Sequence, residues 1–124
     1  MSDCIFCNTD QSRIIDSNEY FNVISDIYPV TELHTLFIPH RHVSSYFDLT
    51  EQEQSSLFTL LKKHKDKLQK IDSTITGFNM GINDGEDAGQ TIFHCHIHLI
   101  PRRKGDVQNA RGGVRGVIPS KQSY

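Results

Sequence analysis

Residues 92–100 read Ile92-Phe93-His94-Cys95-His96-Ile97-His98-Leu99-Ile100. Apolar residues alternate with histidine, and a period of two places successive side chains on opposite faces of a strand. Phe93, Cys95, Ile97 and Leu99 are therefore expected on a core face, where the Cys95 thiol is inert packing. His94, His96 and His98 are expected on the other face. Residues two apart on a strand lie about 6.5–7 Å apart, and the outer pair about 13 Å. A metal–nitrogen bond is only about 2 Å long. Neighbouring histidines can converge on one ion, but all three can do so only if the strand bends. The row predicts a division of labour among three titratable side chains.

The preceding segment, Asn83-Asp84-Gly85-Glu86-Asp87-Ala88-Gly89-Gln90-Thr91, combines two glycines, an amide and a hydroxyl. Glycine admits positive φ and close backbone approach, so such a loop suits phosphate oxygens. It is not a Walker A loop, because no Gly-Lys-Ser/Thr follows and a strand, not a helix, comes next. Read alone, it is equally a hairpin turn. Further out, Thr50 followed by Glu53 forms a capping box that opens a helix over about residues 51–71. Leu57, Leu60/Leu61, Leu68 and Ile71 form its apolar stripe, with Lys62, Lys63, Lys65, Lys67 and Lys70 outside it. Strands are expected at Tyr20–Ser25, His34–Ile38, Thr76–Asn83 and Ile92–Ile100, from β-branched and aromatic enrichment between Gly, Pro and Asp breaks. The order predicts an α+β domain, a mainly antiparallel sheet with one packed helix, and not a Rossmann fold.

The chain has 124 residues, seven of them histidine and none tryptophan. That length supports one hydrophobic core. A formal charge of −2 with a pI near 6.4 argues against a general nucleic-acid or anionic-membrane binder. The charge is uneven: residues 1–101 carry 7 basic and 14 acidic side chains, residues 102–124 carry 6 and 1. The Gly-rich basic tail, residues 107–124, has no helical or strand period and is read as an extended or poorly ordered arm. The N-terminus has acids and cysteines where a signal peptide needs a basic start and an apolar run, and no stretch is long enough to span a membrane. A cytoplasmic protein is expected. Thiols stay reduced there, so Cys4-Ile5-Phe6-Cys7 fits metal or redox chemistry better than a disulfide. No thioredoxin-like βαβ pattern surrounds the pair. A closed zinc site needs two further ligands.

The run from Gly89-Gln90-Thr91 through His94-Cys95-His96-Ile97-His98-Leu99-Ile100 resembles the signature of the histidine-triad (HIT) family, and Asn83-x-Gly85 lies at the matching spacing upstream. Ser25-Asp26-Ile27-Tyr28-Pro29 and His34-Thr35-Leu36-Phe37-Ile38-Pro39-x-x-His42 also resemble family segments. The likeness spans about Cys4 to Asp106, which marks residues 1–106 as the domain. It implies a homodimer with an antiparallel sheet of about five strands, acting on a purine nucleotide at the α-phosphate and needing no membrane or specific nucleic acid. By resemblance His96 is the nucleophile that forms a nucleotidyl-histidine, and His98, Gln90 and Thr91 hold phosphate oxygens or help the leaving group. Asp26 receives the ribose hydroxyls, Asn83 and Gly89 lie on the phosphate side, and His34 supports the histidine row. Some members complete a structural zinc site with residues matching His42 and His94, which here would join Cys4 and Cys7. His40 is the competing ligand, although His42 fits the Ile-Pro-x-x-His spacing better, and His64 belongs to no motif and is expected to be solvated.

Two departures stand out. The family has a Pro-Gly turn where this chain has Glu32-Leu33, and one branch carries a C-terminal Trp that is absent here. The resemblance is compatible with a nucleoside phosphoramidase and with a dinucleoside polyphosphate hydrolase. A non-catalytic zinc- and nucleotide-binding adaptor, or a zinc hydrolase whose paired histidines activate water, remain the rival readings of the residues.

Overall fold

The computed structural model describes residues 3–124. Five strands form one antiparallel sheet: β1 (Ile14–Ser17), β2 (Phe21–Ser25), β3 (Thr35–Pro39), β4 (Ile75–Gly81) and β5 (Ile97–Arg103), in the spatial order β1-β2-β3-β5-β4. The expected strands appear with shifted ends, and β1 is an additional one. It is short, and its burial alternates without a fully buried position, so its sequence carried little apolar signal.

One helix, α1 (Glu51–Ile71), packs on the sheet. The Thr50 hydroxyl accepts the Glu53 amide, and the Glu53 carboxylate accepts the Thr50 amide at 2.8 Å, so both halves of the capping box are made. The same carboxylate is buried and takes a bidentate pair from Arg41 at 2.8 and 3.1 Å. That pairing holds its pKa below the usual carboxylate range. Leu57, Leu60 and Leu68 face the core as expected, but Ile71 is exposed and His64 takes the remaining buried place. The expectation of a solvated His64 is thus corrected: its spacing of four from Leu60 and Leu68 puts it on the apolar stripe. Its Nε2 lies 2.8 Å from Asp16 Oδ2, and its ring meets Phe37 edge-on.

The two faces of the sheet have different work. Val23, Phe37, Ile97 and Leu99 point to α1 and join Leu57, Leu60 and Leu68 in the main core. Ile24, Leu36 and Ile38 point the other way and pack with Phe6. Register pairs Leu36 with His98 and Phe37 with Ile97, so His98 shares the face opposite the helix. No helix among the described residues is long and apolar enough to cross a membrane.

Two further expectations change. Residues 92–96 are an irregular lead-in, and the strand begins only at Ile97. Cys95, Ile97 and Leu99 are buried as expected, whereas Phe93 is 48% exposed because regular alternation has not yet begun. The tail is not an extended arm. It folds into 3-10 turns at Gly113–Val117 and Pro119–Lys121, tied together by side-chain hydrogen bonds from Gln122 to the carbonyls of Asn109 and Arg111. Absence of a period in the sequence excluded helix and strand but not a loop braced by its own side chains.

Candidate active site and metal centre

At Glu32-Leu33 the backbone of Leu33 takes φ 75°, the left-handed region that favours glycine. Leu33 therefore keeps the turn that a glycine would make, at a cost in strain. That turn delivers His34, which is 2% exposed, to the start of β3. The Val30 amide donates to His34 Nδ1 at 3.0 Å. A nitrogen that accepts cannot carry the proton, so His34 is protonated at Nε2. From there it donates 2.9 Å to His98 Nδ1, with Asp26 Oδ2 a more distant partner at 3.4 Å. His98 is left with its proton on Nε2, available to a ligand. Burial, reinforced by the neighbouring His96 and His34 and opposed by Asp26, pulls His98 down to about 4. It is a neutral donor at physiological pH. His34 and His98 are joined by a hydrogen bond that the Val30 amide orients, with the Asp26 carboxylate 3.4 Å from His34 and 4.0 Å from His98.

His96 is oriented differently. Its Nδ1 lies 2.9 Å from the carbonyl oxygen of His94, which only accepts, so Nδ1 carries the proton and Nε2 keeps a free lone pair. The Phe6 ring meets the imidazole at 5.0 Å between centroids, and the His98 ring lies at 5.3 Å. His34, His96, His98, Asp26 and Asn83 all line one cavity of about 780 Å³, within the size range of small-molecule sites (roughly 300–1,000 Å³). Asp26 also accepts the Tyr28 amide at 2.8 Å, so it caps its own turn while facing the histidines.

Gln90 and Thr91 sit elsewhere. The Gln90 side chain is buried; its carbonyl accepts the Gly85 amide, and its NH₂ donates to the carbonyls of Ser44 and Ile92. It braces the loop. Gly85 and Gly89 hold that loop at φ 98° and 97°. Thr91 is exposed, beside Cys4 and His42 and outside the cavity. Ile5, Phe6 and Arg13 line the cavity without having been singled out in the sequence. The legible signal was two apolar residues held between the cysteines of the Cys-x-x-Cys pair.

His94 is fully buried and turned the opposite way from His96. Its Nε2 donates to the Pro39 carbonyl at 2.8 Å, which leaves Nδ1 as the lone pair. Nδ1 lies 3.4 Å from Cys4 Sγ and 3.5 Å from Cys7 Sγ, and His42 Nδ1 lies 3.0 Å from Cys7 Sγ. All four ligand atoms fall within 4.8 Å of one another. A tetrahedral zinc with bonds of about 2.0–2.3 Å has ligand–ligand edges of about 3.3–3.8 Å, so the set is close to what the ion needs. The Cys7 amide donates to Cys4 Sγ at 3.2 Å, and the Pro39 carbonyl fixes the His94 tautomer from behind. Two sulfurs and two imidazole nitrogens make a cluster fit for a metal. The three side chains diverge: His94 faces the cysteines, while His96 and His98 face the cavity.

Comparison with known proteins agrees with this geometry. The profile of the HIT domain matches residues 8–105. The bis(5'-nucleosyl)-tetraphosphatase (asymmetrical) of Schizosaccharomyces pombe is 43% identical over 81 residues, covering 65% of this chain and 44% of that protein. The nitrilase and fragile histidine triad fusion protein NitFhit of Caenorhabditis elegans is 39% identical over 99 residues, 80% of this chain and 22% of that protein. The chain thus spans less than half the length of either relative. A Zn-bound histidine triad family protein from Mycobacterium smegmatis superposes with a TM-score of 0.76 at 32% identity, covering 86% of this chain and 80% of that one. With the profile matched over most of its length and the histidine row in place at the entry to β5, the chain belongs to the HIT domain family.

Proposed function

We propose that the protein is a nucleotide hydrolase or transferase that cleaves at the α-phosphate of a nucleoside phosphoramidate or dinucleoside polyphosphate through a nucleotidyl-His96 intermediate. The observation that carries this reading is the His96 ring, with Nδ1–H anchored on the His94 carbonyl and Nε2 unprotonated beside the cavity. A neutral imidazole nitrogen attacks phosphorus without prior deprotonation. The Nε2–P bond forms as the bond from phosphorus to the leaving oxygen or nitrogen breaks. Water then attacks phosphorus, releases the nucleoside monophosphate and returns the pair of electrons to Nε2. The Nε2–H of His98 stabilises the charge on the non-bridging oxygens, an interaction of the oxyanion-hole kind. Asp26 receives the ribose hydroxyls, and Asn83 and Gly89 serve the phosphate side. His34 acts through His98. Gln90 acts by bracing the loop, whereas the position of Thr91 outside the cavity gives it no contact with the phosphate.

Cys4, Cys7, His42 and His94 hold zinc in this reading. Bound there, zinc would supply structure, tying the N-terminal loop to the end of β3 and to the lead-in of β5. The chain works as a homodimer, in keeping with the open edge of β4, where Met80 is 55% exposed.

The test is His96→Ala, assayed for release of monophosphate from an adenosine phosphoramidate and a diadenosine polyphosphate. Acid-quenched parent protein is expected to carry a nucleotidyl adduct by intact mass, and the variant none. An active His96→Ala protein that chelator alone inactivates would overturn covalent catalysis in favour of metal-activated water.

A further inference from the structure

Among the described residues that line the catalytic cavity, Arg13 is the one cation apart from the histidines. A short 3-10 turn, Gln11–Arg13, sets it there. The Asp10 carboxylate caps the turn by accepting the Ser12 amide at 2.9 Å, and the Arg13 amide closes on the Asp10 carbonyl at 2.9 Å. At the end of that turn, Nη2 of Arg13 donates to the Ser25 carbonyl at 3.2 Å. Among the described residues no carboxylate forms an ion pair with it. A guanidinium carries five N–H donors and no acceptor. One bond to a carbonyl therefore anchors the group and leaves most of its donors for a ligand.

Strand register determines which part of a ligand Arg13 would meet. His98 pairs across the sheet with Leu36, Leu36 with Ile24, and Ile24 with Ile14, so one row runs from the histidines to β1. It crosses three inter-strand steps of about 4.8 Å each. Arg13 immediately precedes Ile14 and stands at the far end of that row, while Asp26, which follows β2, stands between. A nucleotide with its phosphorus at His96 and its ribose at Asp26 therefore extends its base toward Arg13. Ile5 and Ile27 also line the cavity, 56% and 63% exposed, and offer aliphatic surface to the faces of a flat ring. Such surface accepts any base, because bases differ at their edges. The amides of Asn79 and Asn83 belong to the opposite side, on β4 and just after it, which leaves Arg13 as the forked donor at this end.

We infer that Arg13 is a base-specificity residue: its guanidinium donates to O6 and N7 of a 6-oxopurine, so guanine and hypoxanthine nucleotides bind in preference to adenine nucleotides. This rests on the nucleotidyl-histidine reading for the placement of phosphorus and ribose. A 6-oxopurine presents two adjacent acceptors that match the two arms of the fork. Adenine carries an amino group at C6 beside N7, so one arm of the fork faces a donor and that bond is lost. The Ser25 carbonyl holds the guanidinium before any ligand arrives, which lowers the cost of ordering it.

The test uses the full chain and calorimetric titration with GMP, IMP, AMP and 7-deaza-GMP. GMP and IMP should bind alike and about tenfold tighter than AMP, equivalent to ~1.4 kcal/mol. Both carry O6 and N7, and they differ only in the 2-amino group, which Arg13 does not read. 7-Deaza-GMP, with C–H in place of N7, should fall between GMP and AMP. Arg13→Met keeps an aliphatic stem without the donors, and should bring the GMP-to-AMP affinity ratio to within about twofold of unity. Arg13→Lys keeps the charge without the fork, and should lose most of the ratio as well. Equal binding of GMP and AMP by the parent overturns the inference. An Arg13→Met protein that keeps the tenfold ratio overturns it too, by assigning the reading to another group. So does an equal loss of GMP and AMP affinity in the variants, which would make Arg13 a stacking or phosphate contact. Monophosphate binding needs no chemistry, so the two readings fail separately. A preference lost with Arg13 stands even where no nucleotidyl-His96 can be trapped, and a trapped adduct without a preference leaves the mechanism and removes the base reading.

Discussion

Replacing His34 by Leu tests whether a chain of hydrogen bonds sets the protonation site of His98. In the parent, the Val30 amide occupies His34 Nδ1, and His34 Nε2–H occupies His98 Nδ1 at 2.9 Å. Leucine approximates the size of the ring and removes both partners. Two groups then lose a hydrogen bond in a part-buried setting, each at about 1 kcal/mol, for a loss of about 2 kcal/mol in all. For a domain of this length that corresponds to a fall in Tm of about 6–10 °C. Function should suffer more than stability. Without its donor, His98 can place its proton on either nitrogen, and the Nε2–H directed at the phosphate is no longer assured. Losing one such donor costs about 100-fold in kcat, with KM changed much less because the contact matters most in the transition state. The direct assay is the ¹⁵N spectrum of imidazole-labelled protein, which distinguishes protonated from unprotonated ring nitrogens. The parent should show His98 as the Nε2–H form, and His34→Leu a mixture. An Nδ1–H form of His98 in the parent, or a variant with parental kcat and the Nε2–H form intact, would refute the reasoning.

Asp16→Asn probes the buried His64 pair. Burial opposes ionisation of Asp16, but hydrogen bonds from Lys63 and His64 outweigh it and carry the carboxyl from 3.8 to about 2. A depressed carboxyl stabilises the fold fully above its unfolded value, and that contribution is lost as pH falls through the folded value. Urea unfolding should therefore show the parent losing about 2 kcal/mol between pH 5 and pH 2 through this group, and Asp16→Asn showing a correspondingly flatter profile. At Leu33, with φ 75°, the usual ranking of small residues should invert: Leu33→Gly should be more stable than Leu33→Ala by about 1 kcal/mol in urea midpoints, since alanine keeps the strain. Cys4→Ser should abolish the one metal ion per chain expected in the purified parent by elemental analysis, with a Tm well below that of the parent. Unchanged metal content would defeat the four-ligand set.

Local patterns were enough for much of this protein. The capping box and lysine-flanked apolar stripe located α1 at about residues 51–71, because those signals depend on contacts three or four positions apart. The two-residue alternation around His98 was equally legible, since side-chain direction in a strand follows from the backbone alone. Spacing also predicted that the three histidines would not all serve one ion unless the strand bent, while the choice of His94 for the metal came from the family resemblance.

What only the tertiary structure decided depends on partners distant in the chain. Phe93 is exposed because the lead-in to β5 is shaped by Val43, whose carbonyl receives the Cys95 amide, and not by a neighbouring strand. His64 is buried because Asp16, across the sheet edge, satisfies it. The tautomers of His34, His96 and His98 were invisible in the sequence, since the first two are set by a backbone amide and a carbonyl, and the third by the His34 ring, each brought within about 3 Å by folding. Seven histidines of one composition thus divide into different chemistries by which of their two nitrogens the fold leaves free.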